Sequence, residues 1–126
     1  MLIVDDNLEY AQNIAEILEI EGCATEIFET AEEALPVALS SRVTVVITDF
    51  RLPGMNGIEL VTRIFRERGR LPAAVMSACA EGDTEDAARR LGVEFLDKPV
   101  DFAALDRVVH AAAARSRPAS AKVFKG

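Results

Sequence analysis

The sequence predicts an α/β fold, a parallel sheet covered by helices on both faces. Short apolar runs alternate with stretches of helical periodicity about five times along the chain, the pattern of a doubly wound sheet. The clearest run, Val43-Thr-Val-Val-Ile-Thr48, is β-branched and unbroken, as suits a central parallel strand covered on both faces. A length of 126 residues is enough for one core and too short for two ordinary domains.

Leu2 to Val4 is an apolar run that stops at Asp5-Asp6, a buried strand opening onto a polar edge. Almost nothing precedes it, which reads as a start lacking a few residues. Asn7 is placed to cap a helix in which Leu8, Ala11, Ile14, Ala15 and Leu18 recur at helical spacing, and Glu21-Gly22 stops it. Cys23 to Phe28 alternates like a strand. Thr30-Ala-Glu-Glu33 opens a second helix as a capping box, and Pro36 is expected to kink or shorten it. After the strand Val43 to Thr48 comes Asp49, then a Pro- and Gly-rich loop, Arg51 to Gly57. Ile58 to Glu67 is an amphipathic helix ended by Gly69, and Pro72 to Ser77 a fourth strand. Asp83 to Leu91 is a short helix closed by Gly92, and Val93 to Leu96 a fifth strand followed by Asp97-Lys98-Pro99. Asp101 caps a last helix to about Arg115. Residues 1–115 therefore read as one domain, and the polar stretch 116–126 as a linker or tail.

Composition narrows the function classes. A net charge of −7 without a basic block speaks against direct binding of nucleic acid or an anionic membrane surface. No stretch approaches the ~18 apolar residues of a membrane span, and no signal peptide is visible. Cys23 and Cys79 stand far apart without a CxxC, so they read as reduced thiols of a cytoplasmic protein. His110 reads as a surface or half-buried helix residue.

Right-handed crossovers bring the C-terminal ends of all strands to one edge, where such sheets bind their ligands. The residues delivered there are Asp5 and Asp6, Asp49, Ser77 and Lys98. Three crowded carboxylates call for a divalent cation, and an oxygen-only set suits Mg²⁺. A carboxylate beside such a cation, with a hydroxyl and an ammonium opposite, has the parts for accepting a phosphoryl group. Each residue alone has a plainer reading: Asp5-Asp6 as a helix cap, Asp49 as a turn residue, Ser77 as structural, Lys98 as solvated. Their arrival in order at successive strand ends favours the site.

Four segments carry a family resemblance: Ile3-Val-Asp-Asp-Asn7, Ile47-Thr-Asp-Phe-Arg-Leu-Pro-Gly-Met-Asn-Gly57, Val75-Met-Ser-Ala78 and Phe95-Leu-Asp-Lys-Pro99. Over residues 2 to 115 the chain resembles a receiver domain of a two-component response regulator. The resemblance implies a flavodoxin-like sheet of order 2-1-3-4-5. It also implies that Asp49 is the phosphoacceptor, and that Asp6 binds Mg²⁺ directly with Asp5 beside it. The main-chain carbonyl of Arg51 is then a third protein ligand, and Ser77 and Phe95 are the switch pair. Lys98 pairs with the phosphoryl group, and Pro99 follows a cis peptide bond. The implied phosphodonor is a histidine kinase or a phosphotransfer protein in a phosphorelay. The signal is expected to leave through the face of the fourth helix, fifth strand and fifth helix, toward an output domain or a second receiver. Such a domain assists its own phosphorylation and dephosphorylation without being an enzyme on other substrates.

The chain departs from the family pattern at Arg51 and Cys79, which flank the phosphoryl position, and at Phe95, which lacks a hydroxyl. Other readings fit less well. A flavin carrier on this fold needs a phosphate-holding loop after the first strand, where Asp5-Asp6-Asn7 would repel phosphate. A phosphatase of the haloacid dehalogenase type needs a second acid two residues after its nucleophile, where Arg51 stands. A purely structural pseudo-receiver would not require the full Asp, Ser and Lys set. The sequence shows no output domain after residue 115, so the chain reads as a stand-alone receiver or one cut from a longer regulator or hybrid kinase.

Overall fold

The computed structural model describes residues 1–20, 22–78 and 82–116, with side chains as far as Ala111. Five strands and five helices alternate: β1 (Leu2–Val4), α1 (Leu8–Ile20), β2 (Glu26–Phe28), α2 (Ala31–Ala38), β3 (Val46–Asp49), α3 (Gly57–Arg68), β4 (Ala73–Ser77), α4 (Gly82–Leu91), β5 (Glu94–Asp97) and α5 (Phe102–Ser116). All strand pairings are parallel and the order is β2-β1-β3-β4-β5. The chain order reverses between β1 and β3, which opens the crevice expected of this topology at their C-terminal ends. The expected tail lies outside the described residues, apart from Ser116 at the end of α5.

Alternation along each central strand builds two cores. Ile3, Ile47, Ala74 and Met76 face one side with Ile14 and Leu18 of α1 and Leu105 and Val108 of α5. Leu2, Val4, Val46 and Val75 face the other with Ala34 of α2 and Leu60 and Ile64 of α3. Ile3 and Ile47 are wholly buried, each contributing roughly 1.5–3 kcal/mol by leaving water. The strands beneath the crevice are thereby held as a rigid platform.

Two strands are shorter than their sequence patterns, because the backbone groups at their starts are engaged elsewhere. The N–H of Cys23 donates to the Leu18 carbonyl and that of Gly22 to Glu19, closing α1 with Gly22 at φ 90°. Cys23 is therefore part of the helix end, and β2 starts at Glu26. Likewise the N–H of Val43 donates to Ser40 in a turn, and β3 starts at Val46. Pro36 lies inside α2, where it removes one helix donor, and the helix ends two residues later at Ala38. α2 is capped as its sequence indicates, and α3 is capped by Asn56, within the stretch expected as loop. Thr30 accepts from the Glu33 N–H, and Asn56 forms a reciprocal capping box with Glu59.

Candidate functional site

Asp49 is the last residue of β3, paired in register with Met76 of β4. Its backbone is fixed from three directions. Phe50 N–H donates to the Met76 carbonyl, Gly57 N–H donates to the Phe50 carbonyl, and Thr48 Oγ1 donates to the Asp49 carbonyl at 2.9 Å. Gly57 opens α3 directly against that carbonyl: a Cβ there would stand 2.3 Å from the Asp49 oxygen. The loop between β3 and α3 is fastened from α2. Glu32 Oε2 accepts from Met55 N–H at 2.8 Å, and this bond holds the Glu32 carboxyl below its ordinary range. Gly54 has φ 76°, and a Cβ on it would meet the same Glu32 oxygen at 2.6 Å. The loop after Asp49 thus favours a residue free to adopt positive φ.

Asp5 follows β1 and is wholly buried, whereas Asp6 beside it is exposed. Asp5 Oδ1 accepts from Asn7 N–H at 2.9 Å, and Oδ2 accepts from Lys98 Nζ at 2.9 Å. Lys98 Nζ also stands 3.4 Å from Asp49 Oδ2, and 4.6 Å from the centroid of the Tyr10 ring. Lys98 follows β5, where its N–H donates to the Ser77 carbonyl and its peptide bond to Pro99 is cis. Ser77 ends β4 and is buried. One oxygen from each of Asp5, Asp6 and Asp49 can be chosen so that all three lie within 4.8 Å of one another. Asp5, Asp6, Asp49 and Lys98 therefore stand together at the C-terminal edge of the sheet, with Ser77 at the end of the adjacent strand β4. Arg51 is exposed just beyond that edge, and Phe95 is half-buried on β5 beside Val75. Cys79 lies outside the described residues. His110 is exposed on α5, with Nδ1 3.4 Å from Asp106 Oδ2.

The electrostatics follow from this crowding. Burial pushes the Asp49 carboxyl up, the Asp5 charge adds to the push, and Asp6 adds a smaller one. Lys98 opposes them without reversing the direction. On Lys98 burial works against the charged form. The Asp5 hydrogen bond and the charges of Asp49 and Asp5 outweigh it and hold the ammonium above its ordinary range. One ammonium among three carboxylates leaves excess negative charge. The donor set is oxygen only, which fits a hard divalent cation such as Mg²⁺.

Comparison with known proteins agrees with the fold. The response regulator receiver domain family matches residues 1–110. The chain belongs to that family. This receiver domain is 43% identical over 100 residues to a response regulator receiver protein of Anaeromyxobacter sp., a match covering 79% of the chain and 42% of that protein. It is 26% identical over 119 residues to the transcriptional regulatory protein FixJ of Bradyrhizobium diazoefficiens, covering 94% of the chain and 58% of FixJ. The receiver domain thus spans only about half the length of these relatives. A response regulator receiver protein from Pseudomonas putida superposes with a TM-score of 0.78 at 32% identity, covering 86% of this chain and 93% of that one. The receiver domain is accordingly a two-component signalling module on the flavodoxin-like fold. No helix among its described residues is long and apolar enough to cross a membrane.

The sequence reading did not single out Tyr10, Glu32 or Gly57 for the site. Gly57 reads in the sequence as the end of a Pro- and Gly-rich loop, and Glu32 as part of the capping-box start of α2. Their contacts join residues far apart in the chain, or depend on how closely two backbones approach. No local pattern announces either.

Proposed function

We propose that this receiver domain, occupying residues 1–115 with 116–126 as linker or tail, takes a phosphoryl group onto Asp49. The donor is a histidine kinase or a phosphotransfer protein, and the compartment is the cytoplasm. The single observation that carries the reading is Lys98 Nζ, 2.9 Å from buried Asp5 and 3.4 Å from Asp49, within a triad of carboxylates. Asp6, Asp49 and the Arg51 main-chain carbonyl would hold Mg²⁺, with Asp5 alongside. When bound, the cation supplies positive charge against the incoming phosphoryl oxygens.

The chain's own groups do the rest. An Asp49 carboxylate oxygen forms the new bond to phosphorus as the bond from phosphorus to the donor nitrogen breaks, and the donor keeps that electron pair. Lys98 is already within reach of the oxygens that arrive on Asp49. The Ser77 hydroxyl, on the neighbouring strand end, donates a hydrogen bond to one of them. Asp5 anchors the lysine from below through its buried carboxylate. Most of the catalysis is positioning and charge stabilisation, which a fixed sheet edge provides. Ser77 moving toward the phosphoryl group vacates space into which Phe95 turns. The signal then leaves by the face of α4, β5 and α5 toward an output domain or a second receiver. A depression of about 240 Å³ lies between β5 and the start of α5, beside Phe95, Pro99 and Arg107.

The test is to incubate the protein with acetyl phosphate or a phosphorylated histidine kinase, with Mg²⁺ or with EDTA, and to map the modified residue. The expected result is Mg²⁺-dependent modification of Asp49 alone; modification elsewhere, or at Asp49 in EDTA at full rate, would refute the reading. The metal set has its own check, by calorimetry because the chain has no tryptophan. Asp6→Ala is expected to weaken Mg²⁺ binding by at least roughly tenfold, since even an outer-shell partner is worth 10–100-fold. Unaltered affinity would remove Asp6 from the site.

A further inference from the structure

We propose that Tyr10 is a positioning residue whose ring seats the Lys98 ammonium and whose hydroxyl ties that seat to the turn entering α5. The inference rests on the phosphoacceptor reading of Asp49 and adds a route from the site to α5. Tyr10 lies in the first turn of α1, where its N–H donates to the Asn7 side-chain oxygen at 3.1 Å. From there the half-buried side chain reaches across to the segment after β5. Lys98 Nζ stands 4.6 Å from the ring centroid, and the hydroxyl oxygen accepts from Val100 N–H at 2.8 Å. One side chain therefore grips both sides of Pro99, from a helix 90 residues away in the chain.

The physics assigns separate tasks to the ring and the hydroxyl. A lysine ammonium sits on a flexible stem and gains direction from what surrounds it. Here a carboxylate binds it on one side, and an aromatic face attracts it on another. The ring narrows the positions the ammonium samples, so that it stands ready for oxygens arriving on Asp49. A phosphoryl group on Asp49 adds negative charge there and draws Nζ away from Asp5. The ring then loses its cation or follows it. Where the ring follows, its hydroxyl carries the movement to the Val100 N–H. The next residue, Asp101, caps α5, its Oδ1 accepting from Ala104 N–H at 2.7 Å. Lys98, Tyr10, Val100 and Asp101 thus form a contiguous line from the crevice to the start of α5.

The chain contains one tyrosine and no tryptophan, so its near-ultraviolet tyrosine emission reports Tyr10 alone. The experiment follows that emission while the native protein is phosphorylated with acetyl phosphate and Mg²⁺, with mass analysis of Asp49 in parallel. The expected result is an emission change that tracks Asp49 modification. Tyr10→Leu is expected to lower the maximal rate of phosphorylation by about tenfold, a barrier change of ~1.4 kcal/mol, with the half-saturating acetyl phosphate concentration unchanged. Tyr10→Phe keeps the ring, and is expected to restore the rate to within about threefold of native. It should nevertheless lose the amide shift of Val100 that accompanies phosphorylation. An unchanged tyrosine signal on fully phosphorylated native protein would overturn the proposal, as would a native rate in folded Tyr10→Leu. If Tyr10→Leu does not fold, the native emission and the Val100 amide in Tyr10→Phe decide. If native Asp49 takes no phosphoryl group at all, the phosphoacceptor reading fails and this inference with it.

Discussion

Asp49→Asn is expected to reduce covalent phosphorylation by at least ~100-fold, which corresponds to a barrier higher by roughly 2.7 kcal/mol or more. The amide is nearly isosteric with the carboxylate, so the sheet edge should survive. It offers a far weaker nucleophile and no charge to a cation. Radiolabelled phosphoryl transfer to the variant and the native protein, at equal Mg²⁺, measures this. Persistence of full labelling would place the acceptor elsewhere.

The same substitution is expected to stabilise the metal-free fold. Burial and the Asp5 charge, with a smaller contribution from Asp6, hold the Asp49 carboxyl above its ordinary range despite Lys98. A group whose folded value is raised contributes stability that is fully present below its unfolded value, about 3.9 for Asp. That stability is lost as pH rises through the folded value. Once Asp49 is ionised the native protein has lost it, whereas Asn cannot ionise. Urea unfolding in EDTA should therefore give a higher midpoint for Asp49→Asn at pH 7.5, with the difference shrinking toward acid. Mg²⁺ should raise the midpoint of the native protein more than that of the variant, because a ligand stabilises the state that binds it. A lower midpoint for the variant at neutral pH in EDTA would contradict the electrostatic account.

Gly57→Ala is expected to destabilise the protein by about 2–3 kcal/mol, at the upper end of ordinary overpacking. Its added Cβ would stand 2.3 Å from the Asp49 carbonyl oxygen and 3.1 Å from Thr48 Cγ2. The first of these is backbone in a buried strand, so it cannot step aside. The start of α3 must move away instead, and the Gly57 N–H to Phe50 bond lengthens with it. Because the displaced atoms belong to Asp49 itself, phosphorylation should also slow. Gly82→Ala is the matched control: a Cβ there meets nothing within 4 Å, and the change is expected to be neutral or to stabilise by up to ~1 kcal/mol. Denaturant melts of both variants test the contrast, and equal midpoints would show that α3 has room at Gly57.

Several elements are legible in the chain because their determinants are local. The run Val43 to Thr48 is β-branched, and the structure buries Val43 and every residue from Val45 to Thr48. The Thr30 and Asn56 caps act within one helical turn, so the first was visible in the sequence as a capping box. Strand boundaries were less legible. The N–H groups of Cys23 and Val43 are claimed by a helix end and a turn, and hydrogen-bond competition of that kind leaves no mark on side-chain periodicity.

The sequence by itself determined the alternation of strand and helix, and with it the parallel sheet. It also determined which residue types stand at each strand end, because solvent exposure writes apolar periodicity into the chain residue by residue. Only the tertiary structure decided how those ends engage one another. Asp5 and Lys98 are 93 residues apart and meet at 2.9 Å, with Tyr10 alongside. Glu32 holds the loop at Met55, and Gly57 leaves space for the Asp49 carbonyl. These contacts depend on strand register, on the crossing of α1 over the sheet and on backbone separations of a few ångströms. No local preference encodes such quantities, because they exist only once the whole core has closed.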